Sequence, residues 1–225
     1  MGSDLLTSTL QEGIALLRFN RPEHKNALSI ALRDAVSDFL EEIVSDDSIK
    51  CVVLLGSGSA FSAGFDLKEF ETAFADKDFD ALLWASSDRY HKLLLTFPLP
   101  IVAGIKGPAL GGGFDTAVLA DIRIASESAS FGHPEVAFAD VVYGPLHDLV
   151  GGAVARDLCL TGRQVAAVEA LRLHLVSEIV PDEMLEARVM EVASYVARAP
   201  RDVLMRTKQK IIRRAAIPFE HTLAL

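Results

Sequence analysis

Two carboxylates twenty residues apart, Asp115 and Glu135, are the side chains whose type and setting point most directly to chemistry. Asp115 stands two positions after the triplet Gly111-Gly112-Gly113, in an otherwise apolar segment where an unpaired carboxylate would be costly. Glycines leave the main chain unobstructed. A helix beginning there would turn its first N–H groups, with the helix dipole behind them, toward a ligand oxygen such as an oxyanion or a phosphate. Glu135 follows Pro134 in S-F-G-H-P-E (130–135), and a strand and a turn between the two acids would let the chain fold back and bring them together. Two acids sharing one pocket push their pKa values apart and suit proton transfer. Blander readings stand beside these. A glycine triplet also serves where a helix packs closely on a strand, an Asp near a helix start is favourable for dipole reasons alone, and Glu135 after a proline is an ordinary first-turn acid.

A second small-residue stretch, G-S-G-S-A-F-S-A-G-F-D-L-K-E-F (56–70), admits three readings. A phosphate-gripping loop needs a Gly-Lys-Ser/Thr ending, which is absent. A nucleophile elbow needs G-x-S-x-G, and A-F-S-A-G around Ser62 lacks the first glycine. The third reading is a loop that presents backbone at Phe65 to the same ligand as the first loop.

The elements that must hold these loops follow from periodicity. Gly13–Asn20 reads as a strand, a polar turn R-P-E-H-K-N-A-L (21–28) follows, and a helix starts near Ser29 with an apolar face at Ile30, Leu32, Val36, Phe39, Leu40 and Ile43. Lys50–Leu55 is an apolar strand, so the strand–helix–strand order predicts a parallel sheet covered on both faces. Asp78–Phe97 reads as an amphipathic helix, Ile101–Ile105 as a buried central strand and Ile122–Ala125 as another strand. Helices are expected over Leu146–Thr161, Val165–Leu173, Asp182–Arg198 and Pro200–Arg214, with a strand at Val176–Val180. The division expected is a core of residues 1–180 and a helical C-terminal region of residues 181–225.

Composition bounds the class. Half of the 225 residues are hydrophobic and the mean hydropathy is +0.29, enough for a substantial core in one domain with at most a small appendage. A net charge of −9 and a pI near 5.1 argue against a nucleic-acid partner. The local basic cluster Arg198, Arg201, Arg206, Lys208, Lys210, Arg213 and Arg214 reads as a solvated helix face or a greeting for an anionic ligand. Cys51 and Cys159 lie in apolar runs and read as reduced core residues, not a bridge or a metal pair. The six histidines show no metal-ligand spacing, so no metal is expected. The start M-G-S-D-L-L-T carries no signal pattern and no apolar run approaches a membrane span, so the expectation is a cytoplasmic protein with no membrane partner.

Taken together, these segments resemble the enoyl-CoA hydratase/isomerase, or crotonase, family. The resemblance runs in order through R-P-E-H-K-N-A-L (21–28), G-S-G-S-A-F-S-A-G-F-D-L-K-E (56–69), P-I-V-A-G-I-K-G-P-A-L-G-G-G-F-D-T-A-V-L-A-D-I-R-I-A (100–125), F-G-H-P-E-V (131–136), L-T-G-R (160–163) and A-L-R-L-H-L-V-S-E-I-V (170–180). It implies an α/β fold, the crotonase-like ββα superhelix of repeated strand-strand-helix units with a helical C-terminal region. It further implies that the Phe65 and Gly112 N–H groups form an oxyanion hole for the thioester carbonyl of an acyl-CoA. Ser62 then shapes a turn and attacks nothing. Asp115 and Glu135 fall on the family's two acid–base positions, and Lys25 with Ala63, Gly64, Asp66 and Leu67 on its CoA-binding positions. Coenzyme A would arrive as part of the substrate, with no other cofactor, and the protein would assemble as a homo-trimer or hexamer.

The chain departs from the family pattern in three ways. Hydratases usually carry glutamate at both acid positions, whereas the first here is the shorter Asp115. The G-G-G-x-D pattern is shared with the dienoyl-CoA isomerase branch, whose extra aspartate has its only nearby counterpart in Asp140, set closer to Glu135 than that branch places it. The segment after Glu135 is slightly shortened, offering Tyr143 and His147 as new polar residues, and the chain ends before the helices that commonly cover the acyl group. The activity expected is water addition to a 2-enoyl-CoA, the alternatives being double-bond isomerisation or thioester binding with little catalysis.

Overall fold

In the computed structural model, residues 5–215 are described. The chain opens with two strands, β1 (Leu6–Gln11) and β2 (Ile14–Phe19), paired antiparallel around a turn with Glu12 and Gly13 at positive φ. The sequence pattern did not predict β1, because every residue after Leu6 is exposed and only Leu10 among them is apolar. After a short 3-10 turn at Pro22–His24 comes α1 (Ile30–Ile43), where the Ser29 hydroxyl accepts from Leu32 N and the Glu69 carboxylate accepts from Ile30 N at 2.8 Å. Two orphan donors of the first turn are thereby satisfied.

β3 (Cys51–Gly56) leads through the small-residue loop to α2 (Leu67–Ala75) and α3 (Lys77–Thr96), then β4 (Ile101–Ile105) and a short β5 (Pro108–Leu110). Next come α4 (Gly112–Leu119), β6 (Ile122–Ser126) and β7 (Ser130–Gly132), a 3-10 turn at Pro134–Ala137, and α5 (Gly144–Thr161) with a break at Gly151. The expected helix over Val165–Leu173 divides, giving β8 (Val165–Ala166) and α6 (Ala167–Arg172), and the expected strand at Val176 shortens to β9 (Glu178–Val180). The 3-10 turn Asp182–Met184 precedes α7 (Leu185–Ala197), and α8 (Arg201–Ala215) follows. Residues 216–225 of the expected C-terminal region and the Arg214 side chain lie outside the described residues.

The main sheet runs β1-β2-β3-β4-β6-β9, parallel from β2 onward. Side-chain alternation sorts its strands onto two faces. Val53, Leu55, Val102 and Ile124 meet Leu185, Val189 and Ala193 of α7, while Leu17, Val52, Leu54, Ile101 and Ala103 join the larger core with α1, α3 and α4. A second sheet, β5-β7-β8, is made of strands of two or three residues, too short for a period to show in the sequence. β5 and β7 run parallel, so the start of α4 and the turn carrying Glu135 leave this small sheet side by side.

Candidate active site

The polar turn at 21–28 is a clamp for the loop that follows β3. Asn26, fully buried and at positive φ, donates its amide hydrogens to Ser57 O and Ala60 O, and Ala63 N donates to Lys25 O at 2.9 Å. Ser62 is fully buried too; its hydroxyl donates to Asn26 O and accepts from Gly64 N. With both roles taken it cannot reach a substrate, which disposes of the elbow reading.

The two small-residue loops touch. Gly64 has φ +92°, and a Cβ there would stand 2.7 Å from Leu110 O and 3.5 Å from Gly111 Cα. A Cβ at Gly113 would meet the Ser62 carbonyl at 2.5 Å. Glycine is thus a condition for this backbone contact, so close packing and ligand presentation are one arrangement and not rival explanations. Among the described residues neither Phe65 N–H nor Gly112 N–H donates to a backbone carbonyl, and Gly112 sits in the first turn of α4, where N–H groups have no intrahelical partner.

These two loops form one side of a cavity of about 300 Å³. Ala63, Gly64, Phe65, Leu67, Gly112, Asp115 and Glu135 all line it; Lys25 and Asp66 do not. Lys25 is exposed, and the Asp66 side chain is engaged elsewhere, capping α2 through Lys68 N and pairing with Arg21 at 3.0 Å. Trp84, Ser87 and His91 from one face of α3, with Phe70 and Phe138, complete an aromatic wall that the sequence reading did not assign to a site. Their spacing at 84, 87 and 91 was a legible helical stripe, but core and cavity stripes look alike in sequence. Tyr143 and His147, the polar groups expected from the altered segment, lie outside this lining. The basic cluster is largely consumed in structural bonds. Arg201 donates to Ile49 O and Val44 O, Arg206 pairs with Asp202, and buried Lys208 pairs with Asp121.

Asp115 and Glu135 do converge, and a residue overlooked in the sequence stands between them. His133 is fully buried, its Nε2 donates to Asp115 Oδ1 at 2.8 Å, and its ring packs on Phe114 with centroids 4.7 Å apart. One donor atom from each of Asp115, His133 and Glu135 lies within 4.8 Å of the others. Such a set could ligate a cation, but the ion pair occupies the imidazole nitrogen that a ligand set would need. The only hint in the sequence was a histidine two positions before the second acid, which spacing alone does not distinguish from a core residue.

The electrostatics act on Glu135 and on the two histidines of the cavity region. Burial pushes the Glu135 carboxyl up, the His133 cation and a backbone N–H pull it down, and Asp115 raises it again, leaving it at about 7. Glu135 Oε2 is buried and has no hydrogen-bond partner among the described residues. Burial works against the His133 imidazolium, yet the Asp115 carboxylate beside it outweighs that cost and raises the pKa well above the ordinary histidine value. Across the cavity, burial holds His91 below that value, so its ring is neutral, with Nδ1 donating to Ser87 O at 2.9 Å.

The fold is mixed α/β, with two glycine-lined backbone loops and a pair of acids lining one cavity, an arrangement open to the kind of enzyme that meets a carbonyl with backbone donors. The comparisons with known proteins carry this further. The family model for enoyl-CoA hydratase/isomerase matches residues 9–223. The chain is 35% identical to the putative enoyl-CoA hydratase/isomerase YngF of Bacillus subtilis, over 88% of this chain and 77% of that one. It is 33% identical to the 2,3-dehydroadipyl-CoA hydratase of Escherichia coli, over 93% and 82%. Among solved structures, an enoyl-CoA hydratase/isomerase from Xanthobacter autotrophicus superposes with a TM-score of 0.88 at 29% identity, covering 94% of this chain and 80% of that one. The chain belongs to the enoyl-CoA hydratase/isomerase family, is an enzyme of that family, and has its crotonase fold. Among the described residues no helix is long and apolar enough to cross a membrane.

Proposed function

We propose that the enzyme adds water to the double bond of a 2-enoyl-CoA. The observation that carries this reading is the convergence of Glu135, raised to about 7, and Asp115, held in place by His133 Nε2 at 2.8 Å, on one cavity beside the Phe65 and Gly112 amides. The thioester carbonyl accepts from the two N–H groups. Asp115 takes a proton from water as its oxygen bonds to the β-carbon, the electron pair of the double bond moves to the thioester oxygen, and Glu135 returns a proton to the α-carbon. The two acids then exchange protons to reset. The oxyanion is met by donors already in place, and Glu135, raised to about 7, can both give and take a proton near neutral pH.

The ion pair that holds Asp115 also favours a second reading, in which Glu135 alone carries a proton between carbons and shifts the double bond. Incubation with a 2-enoyl-CoA separates the two: loss of enoyl absorbance with 3-hydroxyacyl-CoA formed supports hydration, and a displaced double bond supports isomerisation. Glu135→Gln is expected to lower kcat by at least about a hundredfold, the scale of a lost acid–base group, while thioester affinity is retained. Turnover equal to the parent's would remove Glu135 from the mechanism. Exposed Leu160, Val168 and Leu171 on α5 and α6 suit a subunit face in a homo-trimer or hexamer.

A further inference from the structure

We propose that His133 is the positioning residue of this site: its Nε2–H holds the Asp115 carboxylate in place, and its positive charge opposes the burial that keeps the proton on Glu135. The inference rests on the proton roles proposed above, but its geometry stands without them. His133 is fully buried at the end of β7, and the strand fixes its backbone because Gly132 O accepts from Gly111 N at 2.9 Å. The histidine is thereby tied to the glycine triplet as well as to Asp115, with an Nε2 to Oδ1 distance of 2.8 Å. Phe114 covers one face of the ring at 4.7 Å between centroids, so the imidazole cannot swing away.

The charged and titratable groups around it come from four elements. Asp115 is on α4, Glu135 on the same 3-10 turn, and Cys159 on α5; beyond Asp115, Tyr90 and His91 on α3 face that carboxylate. Cys159 bears on the His133 ring but donates its thiol to Val142 O at 3.6 Å, and Nδ1 has no hydrogen-bond partner among the described residues. Burial holds His91 below the ordinary histidine value and pushes the Tyr90 hydroxyl up, so neither supplies positive charge at neutral pH. Arg33 on α1 bears on Tyr90 and His91, while the cation that bears on Glu135 is the His133 imidazolium.

A neutral side chain of similar reach supplies the hydrogen bond without the charge. His133→Gln is therefore expected to fold and keep a donor to Asp115, yet to raise the pKa of Glu135, since an opposite charge at this range depresses a carboxyl by roughly 1–3 units. The limb of the kcat/KM profile against pH that reports Glu135 should move upward by about one unit or more. A role in packing alone would lower the rate with that limb in place, and that result would overturn the proposal.

A second measurement needs neither turnover nor substrate. In the unmutated protein the His133 imidazole, followed by nitrogen NMR, should remain protonated past pH 8, and in Asp115→Asn it should lose its proton below neutrality. A neutral His133 at pH 7 in the parent would overturn the proposal whatever reaction the enzyme performs. A protonated His133 in a protein that neither hydrates nor isomerises enoyl-CoA would leave the charge assignment standing and remove the reaction.

Discussion

Substitution at Gly112 is the sharpest test of the proposed oxyanion hole, because both of its donors answer to that position. A Cβ at Gly112 would stand 2.7 Å from Phe65 Cε1 and 2.9 Å from Cδ1, where carbon–carbon contacts prefer about 3.5 Å. In Gly112→Ala one partner must therefore retreat by roughly 0.8 Å. The Phe65 ring has little room to do so: the Arg33 guanidinium lies over it at 4.5 Å, Phe70 stacks at 5.7 Å, and His91 and Trp84 close the sides at 5.9 and 6.4 Å. The displacement is then shared with the backbone that carries the two N–H groups, and a misplacement of about 1 Å can cost on the order of a hundredfold in rate. Gly112→Ala, which keeps its N–H, is expected to lose roughly tenfold to a hundredfold in kcat by this scale. Gly112→Pro removes the donor at a helix position where proline is tolerated, and should lose more, about 2.7–4 kcal/mol of transition-state stabilisation. The assay is steady-state loss of enoyl absorbance, with circular dichroism to confirm folding and calorimetric binding of free CoA, which has no carbonyl to place, as the control. Near-normal kcat in folded Gly112→Pro would refute the reasoning, because the glycine triplet would then be a packing device only.

Two further outcomes concern stability. Buried Arg33 donates to Leu28 O, Leu83 O and Ser86 Oγ, so Arg33→Met strands several acceptors at about 1–3 kcal/mol each; denaturant unfolding should show a loss of at least about 2 kcal/mol, and an unchanged midpoint would contradict it. The pKa of His133 is raised in the folded chain, so the stability from its pair with Asp115 is fully present below the unfolded value of about 6.5 and is lost as pH rises toward the folded value. Thermal melting of the parent should therefore fall between pH 7 and 10 more steeply than that of Asp115→Asn; parallel curves would deny the coupling.

Much of this was legible in the sequence for identifiable reasons. The parallel sheet shows as the apolar runs Cys51–Leu55 and Ile101–Ile105, because strands buried on both faces carry hydrophobic residues throughout. The loops show through glycines that no other residue can replace where two backbones meet. Illegible were the elements that depend on pairing rather than pattern: exposed β1, the two-residue β8, and the division of Val165–Leu173. In the site, the carboxylates were visible and His133 was not. A buried histidine becomes an imidazolium only by virtue of an Asp115 that lies 18 positions earlier and is brought to it by folding.

Arg33 has one more consequence. It bonds the carbonyl of Leu28, whose N–H in turn takes the Gly64 carbonyl, and the carbonyl of Leu83 on α3, one residue before Trp84, while its cation supports the Phe65 ring from beneath. The aromatic wall of the cavity and the loop that carries the Phe65 amide thus hang from a single bracket. On the function proposed above, breadth of substrate and placement of the oxyanion donor are therefore mechanically one variable. Remodelling α3 to admit a bulkier acyl chain would then be felt at the amide, and a change of diet would require compensating substitutions at the bracket itself.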